Sequence, residues 1–79
     1  MTAPEEWIPA YAEALGLGLD EAEIDAVLAL ARDVAHGTER KNAPVAAFLA
    51  GRFVGTGGSL SDAVERARHS LPPPESSGD

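Results

Sequence analysis

A chain of 79 residues holds one domain, and at this size only about 60% of the unfolded surface is buried on folding, so the core is small. The absence of cysteine excludes disulfides, thiol nucleophiles and thiolate metal sites. The net charge of −7 argues against sequence-independent nucleic-acid binding, which depends on neutralising phosphates. The opening residues have neither the basic nor the apolar region of a leader, and no apolar run approaches the ~20 residues of a membrane helix. These features together set the expectation of a soluble, cytoplasmic protein with no nucleic-acid and no membrane partner.

Apolar residues recur with helical spacing along the whole chain, and no segment alternates with period two. The first helix is expected over residues 5–15, with Trp7, Ile8, Tyr11 and Leu15 on one face. Pro9 lacks an N–H and disfavours the α region at Ile8, so this helix starts only a few residues before it or bends there. Gly16 suits the C′ position, with Leu17 supplying the accompanying apolar contact.

The second helix is expected over residues 21–36. Asp20 is placed to cap it, Glu23 to complete a capping box, and Leu19 with Ile24 to form the apolar staple across its start. Ile24, Val27, Leu28, Ala31, Val34 and Ala35 form its stripe, Leu30 widens the stripe, and Gly37 ends the helix.

The third helix is expected over residues 43–55, capped by Asn42, with Pro44 in the first turn. It is apolar nearly all round, which marks a central, buried helix. Ala43, Ala47, Gly51 and Gly55 recur every four residues. Glycine inside a helix costs about 1 kcal/mol relative to alanine, so close backbone approach is expected to compensate at Gly51, within the fold or between two copies.

Gly55 to Gly58 reads as a loop that lacks the lysine and preceding strand of a nucleotide-binding loop. Ser59 caps a fourth helix, with Asp62 at N3 and Leu60, Ala63, Val64, Ala67 and Leu71 on its apolar stripe. Residues 72–79 have nothing to bury and are expected to form a disordered tail. The fold expected is all-α: a compact antiparallel four-helix bundle over residues 1–71. Its core is expected from Trp7, Tyr11 and Leu15; Ile24, Val27, Leu28, Ala31 and Val34; Phe48, Leu49 and Phe53; and Leu60, Val64 and Ala67.

Charge is divided along the chain. Residues 1–31 hold seven carboxylates and no lysine or arginine, whereas all six basic residues lie from Arg32 onward. The simplest account is that the two halves attract one another within the fold. The functional account centres on the junction between the second and third helices.

His36, near Arg32, Asp33, Glu39 and Arg40, has the placement of an acid–base or anion-binding group, but the favoured reading is a helix C-cap whose imidazole bonds a neighbouring carbonyl or carboxylate. No second histidine or nucleophile accompanies it, so no catalytic residue is assigned. No histidine pair has metal-ligand spacing on one helix, so neither a metal site nor a cofactor is expected. Arg40 and Lys41 flank the free N–H groups that open the third helix, an arrangement that holds phosphate or carboxylate. Arg52 falls between Phe48 and Leu49 on the helical wheel, close to Val45. It must reach water along its stem, pair with a carboxylate, or face a partner as an interface hot spot.

The combination of Ala35-His36, Glu39-Arg40 and Ala43-Pro44, with Ala31-Arg32, Phe48-Leu49, Gly51, Trp7 and Leu15-Gly16-Leu17, resembles a small actinobacterial domain of unknown function. That domain occurs alone or fused behind the catalytic domain of molybdenum cofactor guanylyltransferases, and the resemblance covers roughly residues 5–70. It implies an accessory module of molybdenum cofactor maturation and brings no established catalytic residues. The transferase's nucleotide-binding glycines are absent here, so its activity is not implied.

The expectation is a non-catalytic accessory domain, monomeric or weakly dimeric. It would bind a molybdenum cofactor guanylyltransferase or a molybdoenzyme, with Arg32, His36, Glu39, Arg40, Lys41 and Arg52 bordering the contact. The alternative is a small anion-, nucleotide- or pterin-binding module that uses the basic junction.

Overall fold

The computed structural model describes residues 6–73. The fold is all-α, and the described residues form four helices: α1 (Trp7–Ala14), α2 (Glu21–Gly37), α3 (Asn42–Gly55) and α4 (Leu60–Ser70). Pro72 and Pro73 lie outside any helix. The rest of the expected tail, and Glu5 at the expected start of the first helix, lie outside the described residues.

Local chemistry sets the helix ends. Pro9 is the third residue of α1, where its missing N–H has no intrahelical acceptor to lose. At the other end, Gly16 takes φ +73°. Its N–H donates to the Glu13 carbonyl at 2.9 Å, and the Leu17 N–H donates to the Ala12 carbonyl at 2.9 Å. This is the Schellman ending expected from Gly16-Leu17.

The capping box of α2 is complete. Asp20 Oδ1 accepts from the Glu23 N–H at 2.8 Å, and Glu23 Oε1 accepts from the Asp20 N–H at 3.1 Å. Ser59 Oγ likewise accepts from the Asp62 N–H at 3.1 Å and caps α4.

Two helix boundaries differ from expectation. Asn42 is not the cap of α3 but its first residue, with Lys41 before it and no side-chain cap. The Asn42 amide reaches back to donate to Thr38 Oγ1 at 3.1 Å. At the end of α2, the cap is Thr38 rather than Gly37 or His36. Both the Thr38 N–H (2.9 Å) and its hydroxyl (2.7 Å) donate to the Val34 carbonyl. Gly37 remains helical, and a Cβ there would stand 3.2 Å from Leu71 Cδ2, so its missing side chain lets the end of α4 seat against α2.

The packed centre lies among α2, α3 and α4. Leu30, Val34 and Ala50 are the buried residues among those described, and Ala46, Leu60, Ala63, Val64, Ala67 and Leu71 pack against them. The α4 stripe therefore faces inward as expected. The faces presented by α2 and α3 depart from expectation.

Leu30 is the most buried side chain at 2% exposure, while Leu28 is 62% exposed. At ~100° per residue these two stand ~160° apart on the helix. A helix wedged against two neighbours turns its Leu30–Val34 side to both, which rotates Leu28 outward. On α3 the buried and half-buried positions are Ala43, Ala46, Ala47, Ala50 and Phe53. Phe48 (64% exposed), Leu49 and Val45 (both 55%), expected in or beside the core, stand outside. The helix packs by its alanines, which allow close approach, and by Phe53, while Val45 and Phe48 stand outside and Leu49 lines the edge of the cleft beside Leu30 and Ala50.

Helix α1 stands apart from this centre: none of its Cα atoms lies within 8 Å of a Cα in α2, α3 or α4. Trp7, Tyr11 and Leu15, expected as core, are about half exposed. The Trp7 and Tyr11 rings stack on each other, with centroids 4.9 Å apart. Between α1 and the first half of α2 runs an open groove of about 410 Å³, with Ile8, Tyr11 and Leu15 on one wall and Ile24, Val27 and Leu28 on the other.

Candidate functional site

All six residues singled out from the sequence are exposed: Arg32, His36, Glu39, Arg40, Lys41 and Arg52. Arg32 and His36 sit one turn apart on α2. Arg32 lies ~160° around the helix from buried Val34, at ~100° per residue, so it points away from the core. Glu39, Arg40 and Lys41 form the turn into α3, where Lys41 Nζ approaches Glu39 Oε1 at 3.5 Å. None of the three clefts that open between the helices is lined by any of the six.

The backbone at this turn bears on the anion reading. The Asn42 N–H donates to the Glu39 carbonyl at 3.0 Å and the Ala43 N–H to the Arg40 carbonyl at 3.1 Å, while Pro44 has no N–H. The first donors of α3 are thus engaged by the turn that precedes it, and the basic junction offers an anion side-chain cations rather than free amides. Among the described residues, no group of three His, Asp or Glu could hold a metal ion.

Arg52 is the one of the six that joins a larger feature. Its guanidinium lies 5.9 Å from the centroid of the Phe48 ring, within cation–π range. Among the described residues it has no carboxylate partner. Val45, Phe48, Leu49 and Arg52 stand at i, i+3, i+4 and i+7, so α3 presents a ridge of three large apolar side chains and one cation to solvent. The guanidinium reaches solvent beside the Phe48 ring. Phe48 and Leu49, expected in the core, are its neighbours in the ridge, together with Val45. The small-residue stripe of α3 packs on nothing at its C-terminal end: a Cβ at Gly51 or Gly55 would meet no atom within 4 Å, so close approach does not explain Gly51.

The expected attraction between the acidic and basic halves is not found among the described residues. The ion pairs are Lys41–Glu39, Arg66–Asp62 and Arg68–Asp33, all within the later part of the chain. Only Arg68–Asp33, at 3.8 Å, joins two helices. No described helix is long and apolar enough to cross a membrane.

The chain belongs to the family described as Domain of unknown function (DUF6457), whose model matches residues 1–76. Searches of curated proteins and of solved structures found no match to it.

Proposed function

We propose that this member of a family of unknown function is a cytoplasmic, non-catalytic accessory domain that docks a protein partner through the outer face of α3. The observation that carries this reading is the inverted packing of α3, which buries alanines while Val45, Phe48 and Leu49 lie 55–64% exposed beside Arg52. A small soluble domain gains stability by burying its largest apolar side chains. A helix that instead holds them outward at i, i+3 and i+4 has the form of a helix-in-groove ligand. An arginine beside an aromatic ring in such a patch suits an interface hot spot. Arg40, Lys41, Glu39, His36 and Arg32 then serve as polar surroundings that favour an acidic partner and speed encounter rather than supply most of the affinity.

The resemblance to the module fused behind molybdenum cofactor guanylyltransferases supports a setting in molybdenum cofactor maturation, with the guanylyltransferase or a molybdoenzyme as partner. The test is calorimetric titration of purified molybdenum cofactor guanylyltransferase with the wild-type domain and with Phe48→Glu. Saturable binding that the variant loses agrees with the proposal. Equal binding by both places the contact elsewhere, and no binding by either removes this partner. A parallel proton–nitrogen NMR titration with phosphate and GTP addresses the anion reading: saturable shifts confined to His36, Arg40 and Lys41 would favour a ligand site over a docking face.

A further inference from the structure

The α1–α2 groove and the α3 ridge complement one another. The groove is apolar along both walls, with Leu17 and Leu19 closing the end where α1 passes to α2. Trp7, Ile8, Tyr11, Leu15, Leu17, Leu19 and Leu28 are all 44–62% exposed. Large apolar side chains exposed side by side around a groove, rather than scattered singly, mark an interaction surface. Glu23 lines the groove and Glu13 lines the cleft beside it, while Arg32 stands one turn beyond Leu28 on α2. The ridge has the opposite character, with Arg52 at one end and Arg40 and Lys41 in the turn at the other. Both surfaces belong to the same chain, yet among the described residues no ion pair joins the acidic N-terminal segment to the basic part.

We propose that a second copy of this chain seats its α3 ridge in the α1–α2 groove, with Phe48 and Leu49 between α1 and α2 and Arg52 at the acidic rim. The proposal rests on reading α3 as a docking face, and it names the partner. If each copy both gives a ridge and receives one, the same contact is made twice about a two-fold axis, as in an isologous dimer. The charge separation along the sequence is then satisfied between copies instead of within one.

Sedimentation velocity on the whole chain from the micromolar to the millimolar range tests this, with far-UV circular dichroism to verify that each variant is folded. The wild type is expected to reach twice the monomer mass and to dissociate more readily in 0.5 M salt. Phe48→Glu removes the ridge and Leu28→Glu removes the groove, both at exposed positions, so each variant alone is expected to remain monomeric. An equimolar mixture of the two is expected to associate, because the ridge of L28E still fits the groove of F48E. A wild type that stays monomeric at millimolar concentration overturns the proposal, and so does a mixture that stays monomeric. A monomeric wild type whose Phe48 face still binds another protein would overturn self-docking alone and leave the docking role of α3 standing.

Discussion

At the residue scale, the turns and caps were the most readable part of the sequence, because their chemistry is local. Asp20 and Glu23 are three residues apart and satisfy each other's backbone whatever the rest of the chain does. Asp20→Ala is expected to cost about 1 kcal/mol, lowering the melting temperature by roughly 4–8 °C in a thermal unfolding experiment. The glycines separate in a way the sequence could not show. Gly51 is exposed inside α3 with open space around it, so Gly51→Ala is expected to stabilise the domain by about 0.5–1 kcal/mol. Gly58 lies against the Phe53 ring, where any Cβ would overlap the aromatic carbons. Gly58→Ala is therefore expected to cost about 1–3 kcal/mol. Urea denaturation of the two variants should move the midpoint in opposite directions, and a shared direction would refute this account of the loop.

At the element scale, the existence of four helices and the inward side of α4 followed from periodicity, but the sides that α2 and α3 present did not. Periodicity reports that a helix has an apolar side. On α3 nearly every side is apolar, so the pattern carries no direction, and packing chose the alanines. On α2 the stripe was centred too near Leu28, because the chain could not announce that α3 and α4 would share the Leu30–Val34 side. The six basic and acidic residues near the junction were found from composition, and only Arg52 fell within a structured face. A phenylalanine that supports the fold and one that waits for a partner respond differently to charge. Because Phe48 is 64% exposed, Phe48→Glu should shift stability by no more than about 0.5 kcal/mol while abolishing association. A large loss of stability would return Phe48 to the core.

At the scale of the whole molecule, the domain is held together by a thin centre. Three buried residues and a ring of half-buried ones serve 68 described positions, and α1 contributes almost nothing to them. A single small core of this kind supplies about 3–5 kcal/mol. Leu30→Ala, at ~2–5 kcal/mol for a buried leucine, should remove most of it. Circular dichroism at 25 °C is expected to show this variant substantially unfolded, whereas Leu28→Ala retains its helix signal. The same thinness explains why large apolar surface is left over: a centre built from α2, α3 and α4, with α1 set apart, cannot cover both the outer side of α3 and the groove under α1. That surplus is the surface the proposed docking would use.

The most direct measurement places a photoreactive phenylalanine analogue at Phe48, in the middle of the exposed ridge, and at Glu65 on the outer side of α4 as a control. After irradiation in cells, a discrete protein adduct at position 48 and none at position 65 is the predicted result. An adduct of twice the chain's mass would identify a second copy, and a heavier one a different protein. No adduct at position 48, or the same adducts at both positions, would contradict the assignment of α3 as the surface through which this protein acts.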